Sequence, residues 1–447
     1  MTTAAVAEDR SPWLVAFEER AAAPRREPER LARLRRQAIA RFAELGFPSM
    51  RQEDWRFTNV GALARTRFAL AAPGAVVREE QILPFTFEGM PRLVFVDGHF
   101  APQLSRLEGL PERLHVGSLA AALADGSDAV VDHLGAHASF AEQPFVALNT
   151  ALFADGACVH APRGVVAERP LQLLYVASGP GDGEPRMNAP RTLIVAEEAS
   201  QLTVVESYGT VGGGTTFTCP VTEVVAGEAA VVDHYRLSQE SFAAYHVALQ
   251  QFRCERAAHL SSHSILTGGL LVRNDVRAVL AGEGVDAILN GLYLTKERQH
   301  VDTHMWVEHA APHCDSHELY KGILEGRSRA VFNGLIHVHK GAQKTDAKQT
   351  NRNLLLSPEA LVNTNPQLLI FADDVKCTHG STVGQLDQEA VFYLRSRGIG
   401  EEAARSLLTY AFARDIVDRV KVESVRRDLE EFLFHRLPKG EVVRQAI

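Results

Sequence analysis

The sequence has little of several features that mark particular protein classes. Its 447 residues contain only 5 cysteines, at positions 158, 219, 254, 314 and 377, an odd and scattered set that does not fit a disulfide framework. Basic residues are not in excess, because 47 Lys and Arg stand against 55 Asp and Glu and give a net charge of -8. This balance argues against nucleic-acid binding. Long apolar runs are also missing, so neither a membrane span nor a membrane partner is expected. The scattered cysteines indicate the reducing cytoplasm as the expected location.

Two kinds of short motif are missing as well. The stretch from Met1 to Trp13 carries Glu8 and Asp9 and has no apolar h-region, so no secretory signal is expected. No G-x-x-x-x-G-K-[ST] sequence occurs, and the glycines at 209, 212, 213 and 214 do not match a dinucleotide-binding fingerprint. The chain itself is therefore not expected to hydrolyse ATP.

Residues 1–150 have the pattern of a mixed, mainly helical region. Hydrophobic residues make up 46% of the chain and charged residues 23%, which is typical of globular proteins, and the length indicates two or three structural units. A helix is predicted from Pro28 to Leu45, before Gly46 and Pro48, because apolar residues recur at helical spacing: Leu31, Leu34, Ala38, Phe42 and Leu45. The stretch Arg92 to Phe100 predicts a strand followed by a tight turn at Asp97-Gly98.

Residues 151–385 change to short alternating runs that are typical of strands, such as Leu193–Val195, Leu202–Val204, Val231–Tyr235 and His246–Phe252. A turn signal recurs among them, with spacings of 30, 27, 28, 42 and 34 residues, at Glu198-Ala199, Glu228-Ala229, Glu255-Arg256, Glu283-Gly284, Glu325-Gly326 and Glu359-Ala360. This ragged period favours a β-solenoid, in which each coil buries its apolar row against its neighbours. A β-sandwich is the alternative.

Residues 386–447 return to helical spacing. A helix carrying Val391, Phe392 and Leu394 is separated by Gly398 from a second helix, whose predicted apolar stripe consists of Ala404, Leu407, Leu408, Ala411, Phe412 and Ile416. A third helix, from Val422 to Leu437, keeps Leu429, Phe432 and Leu433 as an apolar edge. Such a helical unit either caps the solenoid or offers a face to a partner.

Two clusters of residues could carry chemistry. The first is a stretch with His300, Asp302, His304, His309, His313, Cys314 and His317, where zinc binding competes with ordinary hydrogen-bonded histidines between coils. The second is Cys377 and His379, which share a face if the backbone is extended and so could contact one ligand. An ordinary buried cysteine with a hydrogen-bonded histidine is the alternative there. A catalytic Cys/His pair would need a third, orienting group, which the sequence does not indicate.

Several motifs together resemble the SufD family of iron-sulfur cluster assembly proteins, most densely from His300 to the end of the chain. They are Glu53-Asp54-Trp55-Arg56-Phe57-Thr58, Tyr320-Lys321-Gly322-Ile323-Leu324, Phe332-Asn333-Gly334, Ala342-Gln343-Lys344-Thr345-Asp346-Ala347, Gln349-Thr350-Asn351, Asn353-Leu354-Leu355-Leu356-Ser357, Cys377-Thr378-His379-Gly380 and Phe392-Tyr393-Leu394-Arg395-Ser396-Arg397-Gly398-Ile399. The paralogous SufB, the main cluster scaffold, is the competing assignment. SufB-like chains carry a Cys-Asp pair where this sequence has Asn363-Thr364-Asn365-Pro366-Gln367, and Glu-His-Glu-Ala-Thr where it has Cys377 to Thr382. Both differences favour SufD.

The resemblance implies a right-handed parallel β-helix between an amino-terminal and a carboxy-terminal helical region. It implies pairing with SufB through the β-helices and binding of the SufC ATPase, which carries the ATP and Mg, through the helices from Val391 to Val420. The partner-binding residues would be Phe392, Tyr393, Arg395, Arg397, Gly398, Leu407 and Phe412.

The resemblance also implies that His379, with Cys377, lies at the SufB interface and helps to hold a transient iron-sulfur cluster, with no cofactor stably bound to this chain alone. Clusters usually take about four ligands, so one thiol and one imidazole make an incomplete set. A subunit without catalytic activity is therefore expected. The alternatives are a scaffold that contributes shape but no ligand, and a β-helix carbohydrate enzyme, for which Asp373 and Asp374 would face opposite ways on a strand. Homodimerisation through an exposed strand edge is an expectation for the isolated chain.

Overall fold

A computed structural model describes residues 12–22 and 27–446 of the protein. The stretch with Glu8 and Asp9, where the sequence predicts no secretory signal, lies outside the described residues. Among the described helices, none is both long enough and apolar enough to cross a membrane.

The amino-terminal region is mixed and mainly helical, as predicted. Its elements are α1 Pro12–Ala22, α2 Glu29–Leu45, α3 Gly61–Arg65, β1 Ala69–Leu70, α4 Glu79–Ile82, β2 Arg92–Val96, β3 His99–Phe100, β4 His115–Ser118, α5 Leu119–Ala124, α6 Asp128–His133 and α7 Pro144–Leu152. The predicted helix is α2, which packs on α7 and ends at Gly46, whose φ of 62° is favourable for glycine. The turn between β2 and β3 is at Asp97 and Gly98, both with positive φ, which also confirms the hairpin prediction.

The middle of the chain is a parallel β-helix, and the alternative of a β-sandwich is excluded because successive coils pair in parallel. Its strands are β5 Ala157–Ala161, β6 Leu171–Ser178, β7 Arg186–Asn188, β8 Arg191–Ala196, β9 Gln201–Val211, β10 Thr216–Thr218, β11 Val221–Ala226, β12 Val231–Gln239, β13 Tyr245–Cys254, β14 His259–Leu266, β15 Leu271–Leu280, β16 Asp286–Thr295, β17 His300–His309, β18 Asp315–Leu324, β19 Arg329–Val338, β20 Asp346–Leu355, β21 Leu361–Ile370 and β22 Lys376–Gly384.

Each regular coil places one strand in each of two sheets. The first sheet runs β4-β5-β8-β11-β13-β15-β17-β19-β21, and the second runs β3-β2-β6-β9-β12-β14-β16-β18-β20-β22. Alternate residues of each strand point inward and form a continuous core, for example Val276 and Met305 of the first sheet and Leu260 and Leu289 of the second. Since β2 pairs with β6 and β4 pairs with β5, both sheets extend into the amino-terminal region.

The turn series predicted from the sequence combines two different corners of the coil. The turns at Ala199 and Ala229 have positive φ and lead from the first sheet to the second, whereas Glu325-Gly326 and Glu359-Ala360 lie at the opposite corner. The spacing of 42 residues arises because the series changes corner there. The ladder register gives the repeat of each coil, for example 29 residues between the partners Leu271 and His300 and 32 between Arg329 and Leu361.

The carboxy-terminal region consists of α8 Gln388–Ser396, α9 Glu401–Val417, α10 Glu423–Arg436 and α11 Gly440–Ala446. The three predicted helices are confirmed, and Gly398, with a φ of 88°, separates α8 from α9. The predicted stripe of α9 is wrong at Ala411, which is exposed, while Tyr410 and Ala413 are buried. The reason is that α9 packs against the β-helix on one side and against α10 and α11 on the other, so its buried surface is wider than one stripe.

Candidate functional site

The carboxy-terminal end of the β-helix is open. The strands β21 and β22 are each the last strand of their sheet, so each leaves one edge of backbone N–H and C=O groups without a strand partner among the described residues. Large apolar side chains that are 38 to 60% exposed accompany this edge: Leu361, Leu369, Ile370, Phe371 and Val383. An unpaired edge with exposed apolar side chains is typical of a surface that receives another chain.

Cys377 and His379 lie on β22 and face the same side of the strand, toward the interior of the last coil. Cys377 is half-buried and packs in a small apolar cluster with Val338, Ala347 and Ala372, whereas His379 is exposed. Burial, and then the nearby carboxylate of Asp346, raise the pKa of the Cys377 thiol. The thiol is therefore protonated at neutral pH and must lose its proton to become a metal ligand.

A row of polar side chains leads inward from His379. The ladder partner of His379 is Gln349, and the partner of Gln349 in the previous coil is Glu318. Both are buried, and neither the carboxylate oxygens of Glu318 nor the amide atoms of Gln349 have a hydrogen-bond partner within the described part of the chain. Burial raises the pKa of Glu318 to about 8. No pattern in the sequence marks Glu318, because only the ladder register places it behind His379.

The histidine-rich stretch does not form one site. His300 bonds to Thr58, Asp302 accepts a 2.6 Å hydrogen bond from Arg273, and His309 bonds to Ser316 at 2.9 Å. These are the ordinary hydrogen-bonded histidines that the sequence left as the alternative to zinc binding. His304 lies beside Asp302, with its Nε2 3.3 Å from the carboxylate, whereas Cys314 donates to the Gly282 carbonyl oxygen and His317 lies at the surface.

The described residues contain one group of three side chains whose ligand atoms converge, a group that was not predicted from the sequence. Glu308, His337 and His339 bring one carboxylate oxygen and two imidazole nitrogens within 4.8 Å of one another. The only signal in the sequence was the pair of histidines two residues apart, because Glu308 joins them through the coil-to-coil register.

The seven residues predicted to bind a partner divide into two sets. Phe392 and Tyr393 on α8 are 70% and 58% exposed, although both are large and apolar in part. Arg395, Arg397 and Gly398 are also exposed and continue this surface, whereas Leu407 and Phe412 of α9 are half-buried against the carboxy-terminal core. The exposed set forms the surface that a partner could contact directly.

Comparison with known proteins adds the family to this geometry. The family model described as the SUF system FeS cluster assembly, SufBD core domain, matches residues 177–412, which include the strands from β7 to β22 and α8. The chain belongs to the SufBD family. A second model, the SufBD protein N-terminal region, matches residues 16–173.

Individual members of the SufBD family match along most of their length. The chain is 32% identical over 405 residues to the iron-sulfur cluster assembly protein SufD of Escherichia coli (strain K12), which covers 90% of this chain and 92% of that one. It is 33% identical over 429 residues, 94% of each chain, to the iron-sulfur cluster assembly SufBD family protein slr0076 of Synechocystis. It is 27% identical over 430 residues to SufD of Bacillus subtilis (strain 168). The resemblance to SufD and the role in iron-sulfur cluster assembly are therefore confirmed.

Proposed function

We propose that the chain is the SufD-type scaffold subunit of a cytoplasmic complex with a SufB-type paralogue and a SufC-type ATPase. The terminal coil pairs with the paralogue, and His379, with Cys377, contributes to a transient iron-sulfur cluster at that interface. The observation that supports this proposal most strongly is the exposed His379 at the open end of the β-helix. A second chain can add to the same end through its own strand edge.

The ligand set supports a shared site. Cys377 offers one thiol and His379 one imidazole, while a cluster usually takes about four ligands, most of them thiolates. Among the described residues, these two do not belong to a group of three converging metal ligands. A partner therefore has to complete the site, and this requirement agrees with a cluster that is held only transiently and not by the isolated chain.

Replacing His379 with alanine is expected to lower the iron and acid-labile sulfide content of the purified three-component complex several-fold. The reason is that the ligand set of the proposed site is already incomplete in this chain, so the loss of one ligand is not compensated. The complex should still assemble, because an exposed side chain contributes little to the fold. The matched control is Ser381→Ala, which changes the next exposed residue on the same face of β22. Equal cluster content in the His379 variant would leave this chain as a scaffold of shape only.

The ATPase surface is proposed to be α8 with the start of α9. Phe392 and Tyr393 expose aromatic rings that no described element of this chain covers, and Arg397 donates to the Tyr393 hydroxyl at 3.1 Å. Aromatic and arginine residues are the commonest energetic centres of protein interfaces. Such a surface fits a folded protein partner, and the ATP and Mg would be held by that partner.

The surface is tied to the β-helix by a buried lysine. Lys321 of β18 makes a 2.8 Å ion pair with Asp415 of α9, and its ammonium group donates to the Phe412 carbonyl oxygen at 3.0 Å. The same group lies 4.5 Å from the centre of the Phe412 ring. Phe412 therefore supports the proposed surface from below. A rigid connection of this kind can transmit movement of the ATPase to the terminal coil.

Changing Phe392 to alanine is expected to weaken binding of the SufC-type ATPase on the order of 30-fold, the effect of losing an interface centre worth about 2 kcal/mol. The folding stability should be unchanged because the ring is 70% exposed. Calorimetric titration with the ATPase measures the affinity of the parent chain and of the variant. Val442→Ala is the control, since Val442 is another exposed apolar residue, on α11. The proposed surface is wrong if both variants bind equally well.

A carbohydrate-active β-helix has less support. Asp373 and Asp374 were expected to face opposite ways on a strand, but they lie in the corner between β21 and β22, where Asp374 is paired with Lys344. Two carboxylates flanking a scissile bond need an open groove between them.

The unpaired strand edge supports homodimerisation of the isolated chain, because the chain can pair with its own copy when the paralogue is absent.

A further inference from the structure

We infer that Glu308, His337 and His339 form a binding site for a divalent first-row transition-metal ion on the outer face of the β-helix. The site is separate from Cys377 and His379, and it belongs to this chain alone. It does not depend on the partners proposed above, because all three ligands come from two adjacent coils and the corner after β19.

The β-helix positions the ligands. Glu308 on β17 and His337 on β19 are direct ladder partners, so their side chains lie next to each other on the outer face of the first sheet. His339 is two residues after His337 and returns to the same face. Its Nε2 lies 2.6 Å from a Glu308 carboxylate oxygen. Glu308 and His337 are thus held by the backbone ladder, and His339 in the corner is held by a 3.0 Å hydrogen bond from its backbone N–H to the His309 carbonyl oxygen.

The donor spacing fits a metal ion after small side-chain rotations. Metal bonds of about 2.1 Å place the ligand atoms of a tetrahedral site about 3.4 Å apart. The three ligand atoms already lie within 4.8 Å of one another, and the His337 and His339 rings have their centres 4.5 Å apart. On binding, neutral His339 presents a proton-free Nε2 to the ion and keeps its one ring proton on Nδ1. One bond from the ion to Nε2 and one to the Glu308 carboxylate then replace the contact between these two side chains.

The surroundings leave the site accessible. His339 and Glu308 have side chains that are 42% and 30% exposed, so an ion can enter from solvent and keep water in its remaining positions. The ladder positions on either side of the pair are apolar, Val279 before Glu308 and Leu369 after His337. Phe371 packs edge-on against the His337 ring at 5.6 Å and limits its movement. Ladder neighbours therefore offer no charged side chain that competes for the ligands.

The donor set selects the class of ion. Two imidazoles and one carboxylate suit Zn²⁺ and Fe²⁺, whereas Ca²⁺ and Mg²⁺ prefer oxygen ligands only. Zn²⁺ is expected to bind more tightly than Fe²⁺, following the general order of divalent affinities.

The site lies one coil before the open end of the β-helix. Val338, between the two histidines, points inward into the apolar cluster that also contains Cys377.

The test uses the full-length chain, without an affinity tag and with Cys377→Ser, so that the half-buried thiol cannot bind the added metal. Titration with Zn²⁺, anaerobic titration with Fe²⁺ and the visible spectrum with Co²⁺ are expected to show one site. His337→Ala and His339→Ala should each lower the Zn²⁺ affinity by ten- to a hundred-fold and abolish the Co²⁺ spectrum, while Mg²⁺ should not compete.

The matched control is His259→Ala. His259 and Asp286 are also ladder partners in adjacent coils, with an Nδ1 to Oδ2 distance of 3.5 Å, but no third ligand atom from the described part of the chain converges with them within 4.8 Å. This variant should bind Zn²⁺ as the parent does. The inference is overturned if the parent binds no Zn²⁺, if the His337 and His339 variants keep its affinity, or if His259→Ala loses affinity equally. Because cluster content is not measured, failure here is distinct from failure of the proposed cluster role.

Discussion

Replacing Glu206 with alanine is expected to lower the free energy of unfolding by about 3 to 5 kcal/mol, the typical effect of removing one partner of a buried ion pair. Glu206 points into the β-helix and is fully buried. It accepts hydrogen bonds from Thr222 at 2.9 Å and from Arg236 at 3.3 Å, and lies 3.4 Å from the Nε2 of His234. Without Glu206 the Arg236 guanidinium would stay buried, 4.4 Å from the Tyr208 ring, with no carboxylate in direct contact. Its remaining polar partner would be His246 at 2.8 Å, which separates it from Glu240.

Chemical denaturation of the purified chain measures this change, and two variants serve as controls. Glu228→Ala removes one partner of the exposed pair with Arg256 and should cost no more than about 0.5 kcal/mol. The double change Glu206→Leu with Arg236→Met should restore much of the loss, since apolar side chains can replace a buried ion pair. If Glu206→Ala is no more destabilising than Glu228→Ala, the interior ion pair does not contribute as inferred.

Buried charges of this kind show why part of the fold could not be predicted from the sequence. The helix α2 and the three carboxy-terminal helices were predictable because apolar residues recur at helical spacing. The strands were predictable from alternation, but alternation does not say which face is inside. Glu206 and Arg236 occupy inward positions that the usual rule would assign to solvent. Only the stacked coils reveal that the interior contains a polar layer.

Prediction of the coil corners and of the candidate sites was limited for the same reason, because both depend on the register between coils. The predicted turn series switches from one corner of the coil to the other. The reason is that the turns with positive φ at His313 and Lys344 do not carry the Glu-Ala or Glu-Gly signal of the other coils. Cys377 and His379 could be placed on one face because two residues of one strand suffice for that argument. Glu308 and His337 are 29 residues apart, and only the parallel ladder makes them neighbours.

Glu318 provides the second large effect, which depends on pH. Its pKa is about 8 in the folded chain, because burial disfavours the charged carboxylate, against an ordinary value of 4.5. The folded chain therefore keeps a proton that the unfolded chain releases above pH 4.5. The stability that this proton contributes is fully present below about pH 4.5 and is lost as the pH rises to about 8. The loss is on the order of 5 kcal/mol, since each unit corresponds to about 1.4 kcal/mol.

Glu318→Gln should remove this pH dependence of the free energy of unfolding, because glutamine has a similar shape and does not titrate. Denaturation curves at pH 5, 7 and 9 should show a small difference between the parent and the variant at pH 5, and an increasing advantage of the variant at pH 7 and 9. The exposed Glu108→Gln is the control for loss of a surface carboxyl group and should run parallel to the parent. Parallel curves for Glu318→Gln as well would contradict the raised pKa.

The protonated state of Glu318 also bears on the end of the β-helix. A neutral carboxyl group can donate a hydrogen bond, whereas a carboxylate can only accept, and Gln349 is its ladder partner on the side of His379. Well below pH 8 the row of Gln349 and Glu318 behind His379 is therefore uncharged. Glu318→Gln preserves this neutrality at every pH, so a complex containing that variant should keep its cluster content at pH 9 better than the parent complex does, a difference measured by iron and acid-labile sulfide content. Equal loss in both complexes would show that the charge of Glu318 does not reach His379.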